Sequence, residues 1–256
     1  MFEIAKHPFC DVIAPGAVMP ELKLASVREL RGPPAALRPS EYTAALIQVL
    51  HARASWARDA DALEIGCGSG VVLAALGALG AASLCGIDIE NEAVVSSSLL
   101  LRELDYRDNF EFHRGDMWRP VAGRRFDLIA ANLPHFPMEP REIGRRLPSW
   151  SSGGADGRVL LDRFLDGLPM HLAPGGRAVI THNGFLDLDQ SRSIVEQSGL
   201  SLRIAQTIMV CISSEKLALM TRDVLCAEEG RSIHRYGPYA FGEMHIVEIG
   251  RPEVLG

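Results

Sequence analysis

The segment Leu63-Glu64-Ile65-Gly66-Cys67-Gly68-Ser69-Gly70-Val71-Val72-Leu73 sets three alternating glycines between an apolar strand pattern and an apolar helix pattern. A strand that turns this sharply into a helix needs positive backbone dihedrals. A ligand can approach the backbone closely only where Cβ is missing. Such a turn belongs to the first crossover of an open parallel sheet, where it faces the cleft beyond the carboxyl ends of the strands. The rest of the chain continues the alternation. Apolar runs at 61–65, 83–87, 110–113, 126–131 and 177–181 read as strands, and helical patterns occupy 71–79, 91–104 and 157–172. A helix from Ser40 to about Trp56 precedes them. A helix near 188–198 and two final strands, Leu202 to Ile212 and Glu243 to Ile249, follow. Strand and helix alternating at this spacing predict an α/β fold with right-handed crossovers and a parallel sheet covered on both faces.

The 256 residues suit one elaborated domain over 38–256, preceded by a proline-rich N-terminal arm over 1–37. The long connection 213–242 is a candidate substrate lid. With 47% hydrophobic and 23% charged residues the chain can bury a sizeable core, which excludes a mostly disordered polymer. A net charge of −6 gives no global attraction to phosphate backbones, so nucleic acid is not the favoured partner. Five scattered cysteines suggest a reducing compartment and are read as cytoplasmic. No Cys/His spacing calls for a metal. The uncharged run Ile65 to Ile87 is interrupted by six glycines, so no membrane span is expected, and Glu3, Lys6, His7 and Asp11 do not suit a signal peptide.

A dinucleotide fingerprint wants Gly or Ala three positions after its second glycine. Here that place is Val71, with Gly70 one residue early, which argues against nicotinamide and flavin cofactors. Acid-x-Gly-x-Gly-x-Gly, from Glu64 to Gly70, instead resembles motif I of the class I S-adenosylmethionine methyltransferases. Cys85-Gly86-Ile87-Asp88 and Arg114-Gly115-Asp116 continue the likeness at the ends of the second and third strands. The resemblance implies the class I methyltransferase (Rossmann-like) fold, a mainly parallel seven-stranded sheet with a C-terminal antiparallel hairpin, and S-adenosyl-L-methionine as cofactor. It assigns Glu64, Gly66, Cys67, Gly68 and Gly70 to the glycine-loop contacts, and Asp88 beside Ile89 to the ribose hydroxyls. Asp116 beside Met117 goes to the adenine, and Asn132 completes the set. Taken singly, each acid reads as a helix N-cap or turn residue, the commoner role of a strand-end Asp.

The fourth strand runs into Asn132-Leu133-Pro134-His135, which resembles the Asn-Pro-Pro-Tyr motif of nitrogen methyltransferases at two of its four positions. The resemblance makes these four the catalytic residues. The Asn132 side-chain oxygen and the Leu133 carbonyl accept hydrogen bonds from the acceptor nitrogen, and Pro134 fixes the turn. His135 replaces an aromatic residue, so it either stacks on a planar acceptor or serves as a base. Arg38-Pro39-Ser40-Glu41, Gly153-Gly154-Ala155-Asp156-Gly157 and Pro174-Gly175-Gly176 extend the likeness to the HemK-type protein-glutamine methyltransferases over about residues 38 to 212. Two departures stand out. The N-terminal arm has no room for the helical recognition domain of release-factor enzymes, and the 213–242 connection is longer than their final hairpin. Its Arg231, His234, Arg235, Tyr236, Tyr239 and Phe241 are expected either to form part of the acceptor pocket or to pack as a surface hairpin. The implied reaction is methyl transfer to nitrogen, on a protein glutamine amide or on an amide or amine of a small molecule. A small-molecule O- or C-methyltransferase using His135, a nicotinamide-dependent oxidoreductase and a non-catalytic cofactor binder stay open as alternatives.

Overall fold

The computed structural model describes residues 38–106, 109–138 and 151–255, all within a unit that runs from Pro33 to Gly256. The expected arm over 1–37 lies outside the described residues. Helix α1 (Glu41–Ala52) starts at Ser40, whose N–H donates to the Thr43 hydroxyl at 3.3 Å, and it presents Leu46, Val49 and Leu50 to the interior. The short α2 (Ala54–Ala57) leads into the alternating part of the chain.

That part runs β1 (Asp61–Ile65), α3 (Val71–Ala78), β2 (Ser83–Asp88), α4 (Asn91–Glu103), β3 (Phe110–Arg114), β4 (Phe126–Ala131), α5 (Val159–His171), β5 (Leu172–Asn183), α6 (Leu188–Glu196) and β6 (Ser201–Ile212). The remainder is α7 (Ser214–Leu219), α8 (Arg222–Glu228), β7 (Ile233–Tyr236), β8 (Tyr239–Gly250) and α9 (Pro252–Leu255). The sheet order is β3-β2-β1-β4-β5-β8-β6, with β7 paired to β8. The first five strands are parallel, and β8 enters antiparallel between β5 and β6. This is the predicted architecture with one strand added. The additional strand, β7, comes from the long connection, which folds into two short helices and a β7–β8 hairpin. It forms because Ile233 is fully buried and because Gly237, at φ +61°, lets the chain reverse between Tyr236 and Tyr239.

Leu63, Leu84, Leu128, Ile129, Val179, Ile180, Ile246 and Val247 are buried on strands covered by helices, which explains why they read as continuous apolar runs rather than alternating ones. Across the middle strands Ile65 pairs with Ile87 and Ala131, Asp88 with Arg114, and Ala131 with Ile180. The carboxyl ends are therefore level. Gly66, Ile89, Gly115, Asn132 and the Thr181-His182-Asn183 end of β5 all emerge at one edge of the sheet. Among the described residues no helix is long and apolar enough to cross a membrane.

Candidate active site

The three glycines of the β1–α3 turn all have positive φ, +74° at Gly66, +51° at Gly68 and +77° at Gly70, but they serve different ends. A Cβ on Gly70 would stand 2.8 Å from the Ser97 Cα, so this glycine lets α4 close against the loop. A Cβ on Gly68 would meet nothing nearer than the Gly66 carbonyl at 3.9 Å. The backbone there is bare toward a cavity of about 560 Å³. Nine of the ten residues assigned to the cofactor line this cavity, namely Glu64, Gly66, Cys67, Gly68, Asp88, Ile89, Asp116, Met117 and Asn132. Gly70 is the exception, and its part is packing. Cys67 turns its thiol inward toward the Ser97 hydroxyl at 3.5 Å, where burial pushes the thiol pKa up, and spends its N–H on the Ile87 carbonyl.

Asp88 accepts the Gly68 N–H on Oδ2 at 3.0 Å and the Glu90 N–H on Oδ1 at 2.9 Å. Burial raises its pKa, and these two backbone donors act against that rise. Each oxygen keeps a further lone pair, which is what two neighbouring hydroxyls require. Glu64 is buried and its Oε2 has no partner among the described residues. Burial first, then the nearby charge of Asp88, hold its carboxyl well above the ordinary range. Such an acceptor, facing a cavity, suits an incoming ammonium. Asp116 is exposed and ion-paired to Arg163 at 2.7 Å, while Met117 follows it with φ +49°. Ile89 is 62% exposed, an apolar surface for a planar ring. The orphaned Glu64 oxygen, the open Gly68 backbone and the two-acceptor edge of Asp88 fit S-adenosylmethionine.

Asn132, Leu133, Pro134 and His135 line the same cavity. The Thr181 hydroxyl donates to Asn132 Oδ1 at 2.9 Å and so fixes the amide at the strand end. One lone pair of that oxygen stays available. His135 is buried, with its ring 5.8 Å from that of Tyr42, so it is no surface loop residue. Burial pushes its pKa down to about 3, and His182 and Lys216 add to the effect while the Asn183 side chain opposes it. The imidazole is neutral and weakly basic. Its loop is braced by Gly153-Gly154-Ala155-Asp156-Gly157. Phe136 N–H donates to the Ser151 carbonyl at 2.8 Å, Gly153 N–H to the Phe136 carbonyl at 2.8 Å, and Met138 N–H to the Gly154 carbonyl at 2.9 Å. A Cβ on Gly153 would lie 2.8 Å from the His135 Cα, and one on Gly157 2.8 Å from the His135 carbonyl. Those two positions therefore require glycine.

The sequence reading missed Tyr42, Thr181, Asn183 and Lys216. Tyr42 donates to Asn183 Oδ1 at 2.9 Å, linking α1 to the end of β5. The signal was available in Thr181-His182-Asn183, three polar residues in succession at a strand's carboxyl end. The long connection meets the cavity at its front, through Ser213, Glu215, Lys216 and Leu219. Of the two expectations for Arg231, His234, Arg235, Tyr236, Tyr239 and Phe241, the structure favours the surface hairpin, because none of the six lines the cavity. Arg231 precedes β7 and the other five belong to the β7–β8 hairpin, where Tyr236 and Tyr239 are exposed. Away from the cavity, Cys85, Glu111 and His113 bring ligand-type atoms within 4.8 Å of one another, a grouping between β2 and β3 that the sequence alone did not reveal. Arg124 already supplies its cation, 2.6 Å from Glu111.

Residues 62–148 match a family model described as a methyltransferase domain. The chain is 31% identical over 156 residues to the "Putative protein N5-glutamine methyltransferase" of Methanocaldococcus jannaschii, a match covering 60% of this chain and 77% of that protein. It is 26% identical over 157 residues to the release factor glutamine methyltransferase of Gloeobacter violaceus, with 58% of this chain and 54% of that one covered. It thus spans about half the length of the latter. Among solved structures, YcgJ of Bacillus subtilis superposes with a TM-score of 0.58 at 13% identity, covering 81% of this chain and 98% of that one. The Mtq2–Trm112 complex of E. cuniculi gives 0.51 at 16% identity, covering 84% and 97%. These two structures share the fold. With the glycine loop, its acids and this relative in agreement, the chain belongs to the class I S-adenosylmethionine-dependent methyltransferases.

Proposed function

We propose that the methyl acceptor is a nitrogen, and specifically the side-chain amide of a glutamine or a molecule presenting an equivalent amide. The observation that carries this reading is Asn132, held by Thr181 at the end of β4 with an acceptor lone pair left, next to a histidine that is neutral and weakly basic. An amide nitrogen is a poor nucleophile because its lone pair is delocalised. Acceptors placed where positive charge develops on it lower the barrier. The Asn132 oxygen and the Leu133 carbonyl are suited to take the two N–H groups. They orient the lone pair along the line of transfer, and proximity supplies much of the rate.

Glu64, Asp88, Asp116 and the Gly68 backbone are the residues that would hold the cofactor, whose sulfonium supplies an electrophilic methyl when bound. Tyr42, His135 and Phe136 form an aromatic group beside Asn132, with Tyr42 5.8 Å from His135 and 6.5 Å from Phe136. Such rings suit a planar amide. The two relatives named as glutamine methyltransferases support the same reading. Incubation with methyl-labelled S-adenosylmethionine and cell extract, followed by hydrolysis and separation of N5-methylglutamine, is the test. Label appearing only on oxygen or carbon overturns it.

The rival reading, O- or C-methyl transfer with His135 as base, loses ground because burial holds that imidazole's pKa at about 3. His135→Phe is therefore expected to retain turnover within about tenfold, and the wild-type rate to show no inflection near pH 6.5 traceable to this residue. A pH–rate profile of both proteins decides the point.

The same burial has a consequence for stability. His135 and His182 are both held down to about 3, whereas the unfolded chain takes up protons near 6.5. Between those values the unfolded state binds more protons. Stability therefore falls as pH drops through this window, by up to about 1.4 kcal/mol per pH unit for each histidine. Urea unfolding at pH 7, 6 and 5 should show the loss, and a smaller slope for His135→Phe. Equal slopes would mean that His135 accepts its proton without unfolding.

A further inference from the structure

We propose that Lys216 is a specificity-determining residue that binds a carboxylate carried by the methyl acceptor, so that the amide and an anionic group belong to one molecule. The inference rests on the amide reading above for the position of the reacting nitrogen, but its own evidence is separate.

Lys216 lies on α7, in the connection that departs from the HemK-type pattern, and lines the cavity. Its ammonium stands 4.4 Å over the ring of Phe136, the residue after His135. Its position is fixed with respect to the acceptor loop. The Ser213 hydroxyl accepts the Lys216 N–H at 3.2 Å, Met220 bridges to Met138, and the Thr221 N–H donates to the Pro137 carbonyl at 2.8 Å. Thr221 also donates through its hydroxyl to the Ala155 carbonyl at 2.5 Å. The start of the connection is thus tied both to the Asn132 motif and to the glycine loop that braces it.

Several other cations of the fold are matched. Arg53 and Arg203 share Glu248, Arg158 pairs with Asp162, Arg124 with Glu111 and Arg163 with Asp116. Lys216 forms no ion pair with a carboxylate of the described residues. Glu41 acts on it at longer range, and Glu215, on the same helix, is exposed. Burial pushes the ammonium below the usual lysine range, and its charge in turn disfavours protonation of His135. A partly buried cation that faces a cavity with an aromatic face beneath it is the complement of an anion. The ligand's own chemistry says which anion. Glu64, Asp88 and Asp116 line the cavity from the ends of β1, β2 and β3, whereas Lys216 reaches it from α7 and stands over Phe136, the residue after His135. Its partner is therefore assigned to the acceptor rather than to the carboxylate of the cofactor.

The experiment uses the full chain saturated with S-adenosylhomocysteine and two probes of the same size, N-acetylglutamine with its carboxylate and N-acetylglutaminamide with a neutral carboxamide in that place. Calorimetry should show the carboxylate probe binding about tenfold or more tightly than the neutral one, in keeping with a charge-assisted contact. Lys216→Met, which keeps the apolar stem on Phe136, should bring the two within about twofold, and Lys216→Arg should preserve the preference. The affinity of Lys216→Met for S-adenosylhomocysteine should stay within about twofold of wild type, which also shows that the variant is folded. The proposal is overturned by an absence of preference in the wild type, by binding of neither probe, by a preference that survives Lys216→Met, or by a loss of cofactor affinity in that variant. Charge-selective binding without methyl transfer to either amide would sink the amide reading and leave the role of Lys216 standing.

Discussion

Asn132→Ala is expected to lower kcat by roughly ten- to a thousandfold while the Kd for S-adenosylmethionine changes by no more than about twofold. The asymmetry follows from where the residue stands. Asn132 lines the shared cavity, but Glu64, Asp88, Asp116 and the glycine loop supply most of the groups that hold the cofactor. The Asn132 oxygen is positioned for a hydrogen bond that strengthens as the nitrogen gains positive charge, and a bond of that kind appears in kcat rather than in ground-state binding. The 2.9 Å contact from Thr181 supplies a graded control. Thr181→Val leaves the Asn132 amide in place but frees it to rotate, so the loss should be smaller, and Thr181→Ser should restore the rate. Asn132→Asp retains the Thr181 bond and adds charge, which an amine substrate tolerates better than a neutral amide. Single-turnover measurements with saturating cofactor separate these effects. Normal turnover by Asn132→Ala would remove the nitrogen-activation role from this residue and reopen transfer to oxygen or carbon.

The fold was legible because its central strands are buried on both faces and its turns are punctuated by glycine. Val179 and Ile180 announce a covered strand, and the Gly66–Gly70 spacing announces the crossover whatever surrounds it. The cofactor half was legible for the same reason, since its residues sit at fixed offsets from strand ends. The acceptor half was less so. Tyr42 and Lys216 are far apart in the chain and line the cavity only because α1 and α7 reach it, while Thr181 acts from β5 through its bond to Asn132, and no local pattern encodes those approaches. The composition of the long connection left two readings open. Aromatic and basic residues between Arg231 and Phe241 suited a pocket wall as well as a surface hairpin, and Tyr236 and Tyr239, paired across the turn of the β7–β8 hairpin, stand in solvent. The piece that reaches the cavity is the plain segment from Ser213 to Leu219, placed by a serine cap and by the Met138–Met220 bridge.

Asp88→Ala should weaken S-adenosylmethionine and S-adenosylhomocysteine alike by about 1.5 to 3 kcal/mol, roughly ten- to a hundred-and-fifty-fold in Kd. Both molecules carry the ribose, so the loss must be shared between them. A loss confined to the sulfonium form would point instead to electrostatics at sulfur. The carboxylate has a second task that the experiment must separate, because it also accepts the N–H groups of Gly68 and Glu90. Alanine leaves those donors to find water or the ligand, and the turn loosens. Asp88→Asn is the informative companion. It keeps one oxygen for a backbone donor and presents an amide N–H₂ to the other, so it is expected to bind the cofactor weakly as well. Asp88→Glu keeps the charge, yet its longer stem cannot hold both backbone bonds in the present geometry. Burial raises the pKa of Asp88, so wild-type affinity should fall as the pH drops through the range where the carboxylate takes a proton, and this dependence should be absent from Asp88→Ala. Calorimetry across pH 4.5 to 8, with thermal unfolding as a check on the fold, reads all of these. If Asp88→Ala unfolds normally, binds both ligands as the wild type does and shows the same pH dependence, the ribose is held elsewhere, and the two backbone bonds are the whole reason for an acid at this strand end.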